Sequence, residues 1–147
     1  MSGGSFLDSN VLVYTDDTSS PAKQRTAVAL VGECMRTKSG VVSLQVLQEY
    51  FSAVTRRLGV DAAIARAKVE LLGAFSAPPI EIDDVLAAID LHRLHQVSFW
   101  DALIIRSAQQ ARCARLYSED LQHGRRFDGV EIVNPFLGLG PGAKRRR

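Results

Sequence analysis

Apolar and polar positions fall into blocks along this chain, and each block has its own period. Phe6-Leu7 is a short apolar run closed by Asp8-Ser9-Asn10 and followed by Val11-Leu12-Val13. It reads as a buried strand that ends in an acidic loop. Ala27, Leu30, Val31, Cys34 and Met35 recur at helical spacing behind Ser20-Pro21, a capping serine with proline at the first helical position. Lys38-Ser39-Gly40 stops that helix, and Val41-Val42 predicts a second strand. Ser43 caps a helix with Val46, Leu47, Tyr50, Phe51, Val54 and Leu58 on one broad face; Gly59 ends it, and Asp61 opens another helix to about Leu72. Pro79-Ile80-Glu81-Ile82 predicts an edge strand, where proline is tolerated. Asp83 or Asp84 then caps a helix to about His95, and Ser98 opens one expected to turn Trp100, Leu103, Ile104, Ser107 and Ala111 inward. Arg115-Leu116-Tyr117 and Val130 to Val133 are the remaining strands. Strands that alternate with helices predict an α/β fold with a mainly parallel sheet.

Charge and composition narrow the picture. The 147 residues suffice for one domain with a sizeable core. The net charge of +2 hides an asymmetry: four of the 18 basic residues are Lys144-Arg145-Arg146-Arg147. Without them the body carries 14 basic against 16 acidic residues, or −2, which excludes a generally basic nucleic-acid-binding module. Gly138, Gly140, Pro141 and Gly142 precede the basic run, so residues 138–147 are expected to form a disordered tail behind a body over 5–137. Cys34 and Cys113 sit in apolar helical patterns, as buried free thiols do. No apolar run reaches the ~18 residues of a membrane span, and Met1 to Ser5 lacks a signal-peptide pattern. No membrane association and a cytoplasmic location are the expectation.

Four carboxylates stand at comparable places. Asp8 closes the first strand, Glu49 lies two turns into the helix after the second, Asp101 is in the first turn of its helix, and Asp120 follows Arg115-Leu116-Tyr117. At about 100° per residue, Glu49 and Asp101 fall at the margins of their apolar faces, where they could look into a cleft at the rim of the sheet. Each also has a local reading: Asp101 as a helix cap, Glu49 as a solvated helix acid, Asp120 as a turn residue. Jointly, converging carboxylates repel unless a cation neutralises them. Oxygen ligands suit Mg²⁺ or Mn²⁺ rather than zinc. His92 and His95 share a helix face without a third ligand, phosphate-cradling glycine loops are absent, and no serine has an evident His partner.

In order and spacing these segments resemble a PIN-domain ribonuclease, and more narrowly a VapC-type toxin of a type II toxin–antitoxin system. The matching segments are Phe6 to Tyr14, Val42 to Phe51, Ser98 to Ile104, Leu116 to Gly124 and Ile132 to Phe136. The resemblance implies a three-layer α/β/α fold around a five-stranded, mainly parallel sheet with the first strand central. It implies that Asp8, Glu49, Asp101 and Asp120 are the catalytic and metal-binding acids, for Mg²⁺ or Mn²⁺. Asn10 and Ser118 would orient metal-bound water or a carboxylate, and Glu119 could be an auxiliary acid. The implied activity is endoribonucleolytic hydrolysis of RNA to 5′-phosphate and 3′-hydroxyl ends. The implied partners are RNA, a cognate antitoxin and a second copy in a homodimer, with residues 54–72 in the region used for dimerisation and antitoxin capture. Arg106 would touch RNA or solvent.

Two other readings stay open at this point. One is a catalytically idle PIN-like module that binds RNA or protein. The other is a haloacid-dehalogenase-type phosphatase, against which Asn10 stands where that chemistry needs a general acid.

Overall fold

The computed structural model describes residues 3–140. Five strands and six α-helices are found there: β1 (Ser5–Leu7), α1 (Ser9–Tyr14), α2 (Pro21–Arg36), β2 (Gly40–Val41), α3 (Leu44–Arg57), α4 (Ala62–Leu72), α5 (Ile82–His95), α6 (Phe99–Gln110), β3 (Arg115–Tyr117), β4 (Arg126–Phe127) and β5 (Val130–Val133). The sheet order is β2-β1-β3-β5-β4, parallel except for β4 against β5. The mainly parallel five-stranded sheet is as expected, with one correction: β3 is central, and β1 lies between β2 and β3. All three side chains of β1 are buried, so both of its faces are covered, as in a parallel sheet between helical layers.

Local chemistry explains most of the helix boundaries. The hydroxyls of Ser43 and Ser98 accept the amides of Val46 and Asp101, and the Asp61 carboxylate accepts the amide of Ala63. α3 ends before Gly59, whose φ of +68° suits glycine. α1 packs on both α2 and α3, and α3 on α4, while α5 packs on α6 and α6 lies against β3 and β5. The core gathers Phe6, Leu12, Val46, Tyr50, Val54, Ile104, Ile105, Leu116 and Ile132. Burial pushes the Cys113 thiol up to about 11 and raises that of Cys34 as well; both are free and buried.

Three expectations need correction. Residues 79–81 form no strand; Glu81 caps α5 instead, its backbone amide taken by the Asp84 carboxylate at 3.0 Å. That capping box removes the donor a strand would have needed, and Pro79 offers none. The fifth strand is Arg126–Phe127, inside what reads as a loop. Trp100 is half exposed: it stands in the first turn of α6, while Leu103, Ile104 and Ser107 of the same predicted face are buried. At the other end of the chain, Leu139 is partly buried against the core, whereas 141–147, with the basic run, lie outside the described residues.

Arg106 pairs with buried Asp84 at 2.9 Å, and Gln110 donates to the same carboxylate at 3.2 Å. The Glu81 amide, and then Arg106, hold the Asp84 carboxyl below its ordinary range. A group whose folded pKa is depressed contributes stability above its unfolded value near ~3.9 and loses it as pH falls through the folded value. Asp84→Asn is therefore expected to cost about 1–3 kcal/mol at pH 7. Urea midpoints of the two proteins should converge below about pH 4. A gap that stayed constant down to about pH 3 would count against this assignment.

Candidate active site

Parallel strands end on the same edge of a sheet, so the residues that follow β1, β2 and β3 converge without any special design. The ladder continues past the strands: the Asp8 amide donates to Tyr117 O at 3.0 Å, and the Ser118 amide to Val133 O at 3.0 Å. Asp8 and Ser118 are thereby set side by side, both fully buried.

Asp8 is also the cap of α1. Its Oδ1 accepts the Ser9 amide at 2.7 Å. Its Oδ2 accepts the Ser118 hydroxyl at 2.8 Å and Asn10 Nδ2 at 3.3 Å. The Asn10 amide lies 3.3 Å from Asp120 Oδ2 as well, and its Oδ1 accepts the Glu119 amide at 3.0 Å. The Ser118 hydroxyl oxygen in turn accepts the Asp120 amide at 3.1 Å. One buried amide and one buried hydroxyl thus clamp the Asp120 loop to Asp8, although 112 positions separate the two acids.

Glu49 joins from α3. The Ser9 hydroxyl donates to its Oε1 at 2.9 Å, and Gln45, one turn earlier, donates to its Oε2 at 3.2 Å. Gln45 Nε2 also reaches the Trp100 carbonyl at 3.3 Å, so the first turn of α6, with Asp101, is tied to Glu49. Asp8 and Asp120 therefore share a partner, Glu49 is linked to the start of α1 through Ser9, and the turn of α6 that carries Asp101 is tied to α3 through the Trp100 carbonyl.

Glu119 has a different setting. Its Oε2 lies 2.5 Å from the Lys23 ammonium and its Oε1 accepts the Tyr14 hydroxyl at 2.7 Å. Lys23 is buried and also sits over the Tyr14 ring, 5.1 Å from its centroid. The Tyr14 ring contacts Phe136. Ser9, Gln45, Lys23 and Tyr14 were not singled out by sequence. Gln45 has a readable signal, since it stands one turn before Glu49; Lys23 has none, because its partner is 96 positions away. His92 is occupied at the α5 terminus, where its Nδ1 lies 2.6 Å from the Val97 carbonyl.

All the candidate ligand atoms are carboxylate oxygens. Among the described residues, no group of three or more His, Cys, Asp or Glu side chains is gathered to cage an ion by itself. Carboxylate oxygens are the donors that Mg²⁺ or Mn²⁺ takes, and they do not make a structural zinc site. Of the four predicted acids, Asp8 and Asp120 are the two that share a hydrogen-bond partner, Asn10.

A family model described as PIN domain matches residues 5–128. Among solved structures, the Mycobacterium tuberculosis toxin VapC20, described as cleaving the sarcin–ricin loop, is similar with a TM-score of 0.61 and 21% identity, over 77% of this chain and 87% of that one. A Klebsiella pneumoniae structure described as a toxin–antitoxin complex gives 0.64 and 18%, over 90% of this chain and 98% of that one. At these identities the likeness is one of fold. The chain matches no curated protein sequence.

Proposed function

The chain belongs to the PIN-domain family, and from that premise we propose that it is a divalent-metal-dependent endoribonuclease, the toxin of a toxin–antitoxin pair. The observation that carries this reading is the buried Asn10 amide, which holds Asp8 and Asp120 together at the carboxyl ends of adjacent parallel strands. Carboxylates set side by side favour a cation between them.

Asp8 and Asp120 would hold a hydrated Mg²⁺ or Mn²⁺, with Glu49 and Asp101 at the rim. Bound there, the ion supplies an activated water and charge stabilisation for in-line hydrolysis, leaving 5′-phosphate and 3′-hydroxyl ends. The remaining work is done by positioning. Ser118 and Asn10 fix the rotamers of Asp8 and Asp120, and Ser9 and Gln45 do so for Glu49. The Asn10 carboxamide has no ionisable proton, so it is no general acid, and a phosphatase mechanism lacks its proton source there.

An acidic pocket also suits inhibition by a basic antitoxin segment, the partner class carried over from the Klebsiella neighbour's description. α3 and α4 leave Leu44, Phe51, Ile64 and Leu71 exposed, which supports a partner surface there for an antitoxin or a second copy. No helix among the described residues is long and apolar enough to cross a membrane.

The test is to sequence RNA ends after brief expression, with chelation in vitro alongside. New 5′-phosphate ends should arise with the unaltered chain. EDTA should abolish cleavage by the purified protein, with Mg²⁺ or Mn²⁺ restoring it. An intact RNA pool, together with no divalent binding by calorimetry, would favour the idle module instead.

A further inference from the structure

A groove of about 210 Å³ runs along α1 beside the acid cluster. Its floor is Asn10, Val13 and Tyr14, with Asp17 beyond; these positions are three, four and seven apart, one face of a helical path. Ser19 and Arg57 form its outer walls. Asn10 belongs to both places: its side chain holds Asp8 and Asp120, and its surface opens the groove.

The charges in the groove are unevenly committed. Asp17 is satisfied locally, accepting the Ser19 amide at 3.0 Å and the Ser19 hydroxyl at 2.6 Å. Arg57 lies in the last turn of α3, exposed, and makes no hydrogen bond or ion pair among the described residues. It is on the same helix as Glu49, eight residues further on, or about 12 Å along the axis. Within α1, Asn10 to Tyr14 cover about 6 Å. At a stacked spacing of ~3.4 Å per nucleotide, that is about two nucleotides.

We propose that this groove is an RNA subsite: it takes the nucleotides next to the scissile phosphate, with Arg57 on a backbone phosphate and the Val13–Tyr14 floor against a base or ribose. The inference rests on the nuclease reading for the identity of its ligand. Contact with the acid cluster through Asn10 and one uncommitted cation in the lining favour a single nucleic-acid strand. The groove is too small for a partner helix, whose side chains alone give it a diameter of about 10–12 Å.

The experiment is a fluorescence-anisotropy titration of a fluorescein-labelled single-stranded RNA oligonucleotide. The full chain is used in the Asp101→Asn background with Mg²⁺, so that the RNA stays intact, over a series of salt concentrations. Arg57→Ala should weaken binding about 5- to 10-fold and lower the slope of log affinity against log salt by about 0.7, as for one lost phosphate contact on a single strand. Ser19→Trp, which fills the mouth and keeps every charge, should also weaken binding. Arg66→Ala, on α4 and 3.7 Å from Glu70, is the control and should bind like the parent. The basic run at 144–147 is common to all variants, so differences among them report the groove. Unchanged affinity and slope in both Arg57→Ala and Ser19→Trp would overturn the subsite. If the variants weaken binding as stated but the unaltered chain never cleaves RNA with Mg²⁺, the groove stands and the nuclease reading falls.

Discussion

Asp8→Asn is expected to lower RNA cleavage by about 10²–10⁴-fold, the several kcal/mol that charge stabilisation by a bound metal is worth. It should also lower stability by about 1–3 kcal/mol. The second effect follows from the hydrogen-bond pattern. Asp8 is fully buried and its two oxygens accept three hydrogens, from Ser9, Ser118 and Asn10. An asparagine has one oxygen and one donating amide, so either orientation turns a donor toward a donor. Ser118 cannot absorb the change by rotating, because its oxygen already accepts the Asp120 amide and lies 3.3 Å from the Asn10 amide, which takes up both lone pairs. Asp101→Asn should lose a comparable share of activity at a smaller stability cost, because Asp101 is part exposed whereas Asp8 is fully buried. Metal-dependent cleavage rates and urea midpoints measured on the two variants separate ligand loss from fold loss. Full cleavage by either variant would remove that acid from the site.

The contrast between these two aspartates shows what the sequence can and cannot carry. Caps at Ser43, Asp61 and Ser98 were legible because a cap is settled within four residues. The convergence of Asp8 and Asp120 was legible for a different reason: residues that follow parallel strands share an edge whichever way the strands are ordered. The order itself was not legible, and β3 rather than β1 took the centre. Strand order depends on which crossovers the helices can cover, which no local period records. The segment at Pro79 read as a strand by its apolar residues, yet the exchange between Glu81 and Asp84 turned it into a helix lead-in. Trp100 read as core because it stands at helical spacing before Leu103, Ile104 and Ser107; those three are buried, but at the start of α6 the period alone did not tell where the covered face begins. Arg106 looked like a solvent or RNA contact until Asp84, 22 positions earlier, closed on it.

Lys23→Met is the second large effect, expected to destabilise the protein by about 3–5 kcal/mol, the cost of leaving a buried charge without its partner. Lys23 is the buried counter-ion of Glu119, and Glu119 adjoins the acid cluster through Asp120. Without the ammonium, the Glu119 carboxylate keeps only the Tyr14 hydroxyl among its contacts at that end, in a neighbourhood already rich in negative charge. The chain cannot relieve this by rotating Glu119 outward at no cost, because the bond from the Tyr14 hydroxyl would be given up. Lys23→Met/Glu119→Gln should therefore recover most of the loss: the methionine stem still fills the space against Tyr14 and Phe136, and a neutral amide can still accept from Tyr14. Because breaking a buried pair costs more than replacing both members, the double-mutant cycle should return a coupling above about 1.5 kcal/mol. Additive urea midpoints across the cycle would mean that Lys23 acts through packing alone. A coupled result that also restores the metal-dependent cleavage lost in Lys23→Met would assign the pair to holding Asp120 in place, since packing by itself gives the double mutant no route back to activity.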